Sequence, residues 1–177
     1  SPTSQRIASG APGTAYWQNR ADYDIDVELD DEKRTIKAEA TVTYHNDSPD
    51  ALTYLWVQLD QNYLSHNADS RAVPNTKRGI DPAKISYSAL DRLLAYEEYD
   101  GEMKISKLTD AKGEPLPHSI VKTMLRLDLV EPLAAGAEFV FKIAWSYPIN
   151  DHKRISARTG YEFFEEDGNC IYTIAQW

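Results

Sequence analysis

The sequence predicts an all-β fold, either an antiparallel β-sandwich or a saddle-shaped pair of sheets, with one long irregular excursion. Three observations predict it: apolar and polar residues alternate over many short stretches, turn signals separate these stretches, and helical periodicity is nearly absent. The chain has 177 residues, of which 42% are hydrophobic and 27% charged. A chain of this size and composition is long enough to bury one sizeable core.

The first two predicted strands form a hairpin. From Ala21 to Asp30, every second residue is apolar and the residues between them are acidic. Charged residues at 30–33 then make a turn, and the alternation resumes from Ile36 to Tyr44. Alternation of period two is typical of half-buried antiparallel strands. We interpret the acidic row as a solvated face and not as a cation site.

The middle of the chain is less regular. Leu52–Leu59 is an almost continuous apolar run, which predicts a central strand covered on both faces. Asp60–Pro82 lacks periodicity and contains Pro and Gly, so we expect a long surface excursion with one helical turn. Ser88–Glu97 fits either a short helix or an irregular strand.

Three further strands are predicted in the second half. Glu102–Leu108 forms one strand and is followed by a turn that contains Gly113. Met124–Val130 and Phe139–Tyr147 both alternate, and they predict a hairpin. The side chains predicted to lie inside the fold are Tyr23, Ile25, Val27, Trp56, Leu127, Phe141 and Trp145.

Charge and cysteine content exclude several functions. The net charge of −9 argues against a nucleic-acid partner, because a phosphate backbone requires clustered cations. Acidity fits simple solubility as well as a cationic partner. Cys170 is the single cysteine, so no internal disulfide is possible, and we expect it to be buried and inert. We expect residues 1–15 to be a flexible leader before a domain at 16–177, with no membrane-spanning segment.

No catalytic motif is found in the sequence. None of its histidines begins a His-Glu-x-x-His pair, and it has no Gly-x-Ser-x-Gly elbow and no phosphate-binding loop. We therefore predict no catalytic residue and no metal ligand. Tyr161–Asp167 combines paired carboxylates with aromatic residues, an arrangement that fits the hydrolysis or binding of a sugar. The simpler interpretation of that stretch is a solvated loop with two packing aromatics. The histidines, each predicted to be a surface or turn residue, are His45, His66, His118 and His152.

Three stretches, Ala15–Asp30, Thr41–Asn62 and Met124–Tyr147, resemble the amino-terminal domain of zinc aminopeptidases of the aminopeptidase N and leukotriene hydrolase type. The resemblance covers nearly all residues after Tyr16. It implies a saddle-shaped β domain that packs against the catalytic domain of the same parent chain and lines one wall of the substrate cleft. The zinc and the peptide substrate then belong to the parent. This segment lacks the family's zinc motif, so we expect it to be inactive alone and to hold no cofactor.

The resemblance also implies one substrate-binding residue. The family's last amino-terminal strand enters the active site, where a Gln holds the free amine of the substrate. Tyr172–Trp177 matches that strand, which places Gln176 at the Gln position. In the family, an acidic residue sometimes follows this Gln by two positions, and that position would be residue 178. The sequence reaches Trp177 without a turn signal, as expected for a segment of a longer chain. The resemblance favours a periplasmic, secreted or membrane-associated parent. The alternative is a stand-alone β-sandwich module for adhesion or carbohydrate binding.

Overall fold

The structure, a computed structural model, describes residues 2–72 and 84–175. It confirms the all-β prediction, because antiparallel strands dominate these ranges and only one described helix is longer than five residues. The strands are β1 (Arg20–Asp30), β2 (Thr35–His45), β3 (Leu52–Gln58), β4 (Lys104–Asp110), β5 (His118–Val121), β6 (Met124–Leu133), β7 (Glu138–Pro148), β8 (Gly160–Phe164) and β9 (Asn169–Thr173). A 3-10 helix (Asp60–Leu64) and two α-helices, α1 (Asp69–Ala72) and α2 (Tyr87–Glu98), lie between β3 and β4.

The first sheet has the strand order β1-β2-β7-β4. β1 pairs with β2 over its whole length, from Arg20 opposite His45 to Asp30 opposite Thr35. The predicted first hairpin is therefore confirmed. β2 pairs equally fully with β7 on its other side, so β2 and β7 form the centre of the sheet and β1 forms one edge.

The predicted hairpin between Met124–Val130 and Phe139–Tyr147 is wrong. β6 pairs with β3 and β5, whereas β7 pairs with β2 and β4, so the two segments lie in different sheets. The connection between them is held against Asn46, whose N–H donates to the Ala137 carbonyl at 3.0 Å and whose carbonyl accepts from Gly136 N–H at 2.7 Å. Alternation does not separate the two topologies, because both strands turn an apolar row into one core.

The prediction that Leu52–Leu59 forms a central strand is also wrong. β3 is an edge of the second sheet, whose order is β3-β6-β5. Leu55 lies opposite Leu127 and is buried, whereas Tyr54 and Trp56 lie on the other face, which is exposed. The run is apolar on both faces, yet the described chain covers only one of them.

The core lies between the two sheets. The second sheet contributes buried residues such as Leu125 and Leu127, and the first contributes a block of β2 and β7 side chains: Ile36, Ala38, Ala40, Val42, Phe141, Ile143, Trp145 and Tyr147. Three of the predicted inside residues, Leu127, Phe141 and Trp145, are buried as expected. The prediction is wrong for four others, which are exposed by the fractions that follow: Tyr23 65%, Ile25 40%, Val27 54% and Trp56 53%.

The β1 residues are exposed although they lie on the predicted face. Tyr23, Ile25 and Val27 stand opposite Val42, Ala40 and Ala38 of the buried β2 row. Cross-strand partners in register point to the same side of a sheet. The apolar row of β1 therefore continues the core face, and it is exposed because nothing in the described chain covers that end of the sheet.

The excursion after β3 is only partly a surface feature. Its first turn is a 3-10 helix in which Asn62 is buried, donating to the Lys122 carbonyl at 2.9 Å and accepting from Met103 N–H at 2.7 Å. The ambiguous stretch Ser88–Glu97 is helical and forms most of α2, which Ser86 caps. Residues 73–82 of the excursion lie outside the described residues. Among the described helices, none has the length and apolarity that crossing a bilayer requires.

Residues 2–15 make local turns. Gly13 N–H donates to the Gln5 carbonyl at 2.9 Å, and Arg6 and Pro12 form an isolated bridge. That residues 1–15 form a flexible leader separate from a domain at 16–177 stays a prediction.

Candidate functional site

Gln176, the one residue to which the sequence assigns a substrate contact, lies outside the described residues. The segment that leads to it is described as far as Ala175, two residues after β9 ends at Thr173. β9 pairs with β8, and both Tyr172 and Ile174 pack against the main core. The approach to residue 176 is therefore held by the core and by β8.

Arg34 ties the β8–β9 hairpin to the turn between β1 and β2. Its guanidinium carbon lies 5.0 Å from the ring centre of Tyr161 and 5.7 Å from that of Tyr172. It also donates a hydrogen bond to the Tyr172 hydroxyl, which donates to the Asp31 carboxylate. Arg34 has a φ of 54°, a left-handed conformation that is uncommon outside glycine, and its carbonyl accepts from Ile149 N–H at 2.7 Å. The turn is thus fixed by contacts on both sides.

This network changes the ionisation of its members. Burial and the hydrogen bond to Asp31 raise the pKa of Tyr172 to about 12, although Arg34 acts in the opposite direction. The hydrogen bond with Tyr172 raises the pKa of Arg34 in turn. At neutral pH the phenol is therefore protonated and the guanidinium charged, and their hydrogen bonds hold the hairpin against the turn.

An apolar cleft of about 470 Å³ lies between the sheets, at the end where β1 and β3 are the edge strands. Tyr23 and Ile25 line it from β1, and Leu55 and Val57 line it from the inner face of β3. Apart from Gln58, its lining is hydrophobic. Such a lining offers no charged group to activate water, and it suits the apolar side chains of a partner.

His45 does not fit the prediction of a surface or turn histidine. It lies in β2 and is 8% exposed. Its Nε2 is 2.8 Å from the Asp22 carboxylate, and its Nδ1 is 2.9 Å from that of Glu138. Because Asp22 belongs to β1 and Glu138 to β7, the ring joins three neighbouring strands. The other three histidines are exposed, as predicted: His66, His118 and His152.

The stretch Tyr161–Asp167 is a strand and a turn, so its interpretation as a loop is wrong for the first half. Tyr161–Phe164 belongs to β8 and pairs with β9, and the rings of Tyr161 and Tyr172 lie 6.2 Å apart across the pair. Glu162 lies 3.7 Å from the Lys153 ammonium. The remaining carboxylates lie in the exposed turn before β9. The stretch is therefore mainly structural.

Cys170 is half-buried in β9 and is a free thiol, so the expectation that it is buried is wrong. It lies opposite Phe163 across the hairpin, on a strand that alternates between half-buried and exposed residues. Within residues 2–72 and 84–175, no group of three or more His, Cys, Asp or Glu side chains is placed to hold a metal ion.

No family model matches the chain, and no curated protein matches it. Among solved structures, the chain is similar to a mutant of the M1 zinc metallopeptidase from Deinococcus radiodurans, at 10% sequence identity and a TM-score of 0.46 over 86% of this chain and 25% of that chain. It is similar to the same mutant bound to a Tyr-Ser-Ala substrate, at 10% identity and a TM-score of 0.45 over 86% of this chain and 26% of that one. The chain spans about a quarter of the length of these metallopeptidases.

Sequence reasoning missed the Arg34 network and the apolar cleft. Arg34 follows three charged residues in a turn, so its sequence gives no sign that it contacts aromatic rings far along the chain. The cleft depends on how far the second sheet extends over the first, which alternation within a strand does not encode. The sequence shows that every second residue of β1 is apolar, but it does not show that this row is exposed.

Proposed function

We propose that this chain is the non-catalytic amino-terminal domain of a larger zinc aminopeptidase. In this role it packs against the catalytic domain of the same parent chain and forms one wall of the peptide-binding cleft. The proposal starts from the sequence resemblance of Ala15–Asp30, Thr41–Asn62 and Met124–Tyr147. The family resemblance also favours a parent that is periplasmic, secreted or membrane-associated, and this compartment is part of the proposal.

The structural observation that carries the proposal is the open end of the sandwich. The chain has a closed core between β2, β7 and the second sheet, yet the adjoining edges of β1 and β3 present exposed apolar side chains beside an apolar cleft. Large contiguous apolar surfaces on a folded chain mark interaction sites. This arrangement supports a packing role in a larger assembly, with the cleft end as the docking side.

Within this proposal, Gln176 binds the free amine of the substrate. An amide oxygen accepts a hydrogen bond from an ammonium group, and losing one bond to a charged group costs roughly 1.5 to 3 kcal/mol. In the full-length parent, we expect Gln176→Ala to lower kcat/KM on free-amine peptides by about tenfold or more while folding is unchanged. Gln5→Ala serves as the matched control. Unchanged kinetics in Gln176→Ala would remove this assignment.

The division of labour between the domains is tested with metal analysis and a fluorogenic amino-acid amide. We expect the isolated chain to hold no stoichiometric zinc and to show no turnover, and the parent to hold zinc in a His-Glu-x-x-His domain and to lose its activity to a chelator. Tightly held zinc with chelator-sensitive turnover in the isolated chain would contradict the proposal. A parent sequence without that motif would contradict it equally.

A second candidate function, a stand-alone carbohydrate-binding or adhesion module, is supported by two aromatics on the outer face of β3. The rings of Tyr54 and Trp56 are 6.0 Å apart and both residues are exposed, and Arg126 lies over Tyr54 at 4.3 Å. Exposed aromatic rings of this kind can stack on sugar rings. Saturable quenching of tryptophan fluorescence by oligosaccharides, lost in Trp56→Ala, would favour this candidate over a peptidase domain.

A further inference from the structure

β1 is a long strand with one free side. It has 11 residues, which corresponds to a length of about 36 Å, and in the described chain it pairs only with β2. Alternate N–H and C=O groups of an edge strand point away from its partner and remain available to another strand. The free side of β1, Arg20–Asp30, is called here the β1 edge.

The two faces of β1 differ sharply in chemistry. One carries the apolar row Tyr23, Ile25, Val27 and Leu29, which continues the core face and is exposed. A strand added at the β1 edge would lie about 4.8 Å away, so its side chains on that face would contact this row. The apolar row therefore favours an added strand in which every second residue is apolar.

The opposite face of β1 carries five carboxylates: Asp22, Asp24, Asp26, Glu28 and Asp30. Asp22 contacts His45, and Asp30 contacts Lys33. Asp24 and Asp26, in the middle of the row, form no ion pair within the described residues. Opposite charges on adjacent strands are stabilising and like charges are destabilising. The row therefore favours cations on the facing side of an added strand.

The same row disfavours a second copy of this chain as the occupant. Antiparallel pairing of two β1 edges into one continuous sheet would bring carboxylate rows side by side. Charged edges of this kind prevent self-association in natural β proteins. An extended segment in which Lys or Arg alternates with apolar residues is instead complementary to both faces of β1.

We infer that the β1 edge is a docking site for an extended protein segment in which Lys or Arg alternates with apolar residues, and which joins the first sheet as an added strand. Main-chain hydrogen bonds supply binding that is independent of side-chain identity, and the two faces of β1 supply the selection. This inference goes beyond the proposed function and does not depend on it, because β1 alone carries the chemistry.

The test uses the complete chain and a labelled 11-residue peptide, matched to the length of β1, in which Lys and Val alternate. We expect saturable binding by fluorescence anisotropy that weakens with added salt. Three peptides serve as controls: one of the same composition with all Lys residues before all Val residues, one with Glu in place of Lys, and one with N-methyl groups on alternate residues. The inference predicts clear loss of binding for all three. Equal binding of the block and alternating peptides would overturn it, because it would show charge attraction without strand pairing.

Charge reversal on the chain provides the matched variants. We expect Asp24→Lys combined with Asp26→Lys to weaken the binding of the alternating peptide by about tenfold or more. We expect Glu165→Lys combined with Glu166→Lys, in the exposed turn after β8, to leave binding within about twofold. Equal weakening by both pairs would overturn the inference. The N-methylated peptide tests the wild-type chain, so the inference stays testable even where a variant folds poorly.

Amide hydrogen exchange locates the bound peptide. The inference predicts slower exchange for β1 amides when the alternating peptide is bound, with little change in β4 at the other edge of the same sheet. Protection confined to β4, or to residues outside the first sheet, would overturn it. None of these outcomes depends on zinc or on peptidase activity, so a failure here is distinct from a failure of the proposed function.

Discussion

β1 and β2 carry the same alternation on neighbouring strands, yet one apolar row is exposed and the other buried. Val27 stands directly opposite Ala38, and Tyr23 opposite Val42. The β2 members lie under the second sheet, whereas the β1 members extend past it. Period two therefore predicts the face of a side chain but not the cover above it, because cover is set by the width of the opposing sheet.

The uncovered row has a consequence for function. Four large apolar residues of one strand are exposed to water, and the free energy of the system is lowered when a partner covers them. The closed core at β2 and β7 supplies stability, and the open edge, at β1 and β3, supplies a surface for docking. The contrast between these two regions leads to four predictions.

The largest effect is expected at the centre of the first sheet. Phe141, Val42 and Tyr23 stand in register across β7, β2 and β1. We expect Phe141→Ala to lower the free energy of unfolding by about 3 to 5 kcal/mol, because it opens a cavity in the closed core. Tyr23→Ala, at the exposed end of the same row, is expected to cost less than about 1 kcal/mol. Urea denaturation measures both, and equal losses would contradict the comparison.

The next effect concerns the connection between the sheets. Asn46 is fully buried, and its amide donates to the carbonyls of Asp50, Leu133 and Ala134 at 2.8 to 3.1 Å. We expect Asn46→Ala to cost about 1 to 3 kcal/mol, since it removes the side-chain donor to the carbonyl of the buried Leu133 and the acceptor of the buried Ser48 hydroxyl. Asn169→Ala, at the exposed first residue of β9, is the control and is expected to cost less than about 0.5 kcal/mol. A harmless Asn46→Ala would show that other contacts hold the connection.

A smaller, pH-dependent effect is expected at Tyr172. Its pKa is raised to about 12 from an ordinary value of 10.0. The folded state therefore binds this proton more tightly than the unfolded state, so the contribution to stability is present below pH 10 and is lost as the pH rises to about 12. We expect Tyr172→Phe to reduce this alkaline loss in unfolding experiments. Tyr87→Phe, at a highly exposed position, should leave the loss unchanged. An identical alkaline profile in wild type and Tyr172→Phe would contradict the Arg34 network.

The all-β class, the first hairpin and the three core residues Leu127, Phe141 and Trp145 follow from the sequence because alternation and turn signals are local. The pairing of β6 and β7 does not follow, because two strands with apolar rows satisfy one core in either topology. The edge position of β3 is hidden for a related reason: a strand that is apolar on both faces resembles a central strand whether its second cover belongs to this chain or to a partner.

The candidate site is predictable to a smaller extent. The family resemblance points to Gln176, and this assignment stays a prediction because residue 176 lies outside the described residues. The cleft arises from the spacing of two sheets, and the Arg34 network joins a turn to a hairpin more than a hundred residues later along the chain. Contacts of such sequence separation have no local signature, so single-sequence reasoning does not reach them.

The smallest expected effect belongs to Val27, and comparing it with Val42 tests whether the apolar row of β1 is uncovered. Both are valines on the same face of neighbouring strands, but Val27 is 54% exposed and Val42 is 5% exposed. Val→Thr keeps the shape and adds a hydroxyl, which is costly only where water is excluded. In chemical denaturation, we expect Val42→Thr to lose about 1 to 3 kcal/mol and Val27→Thr to stay within about 0.5 kcal/mol of wild type. Equal losses at the two positions would show that β1 is covered and would contradict the open docking surface.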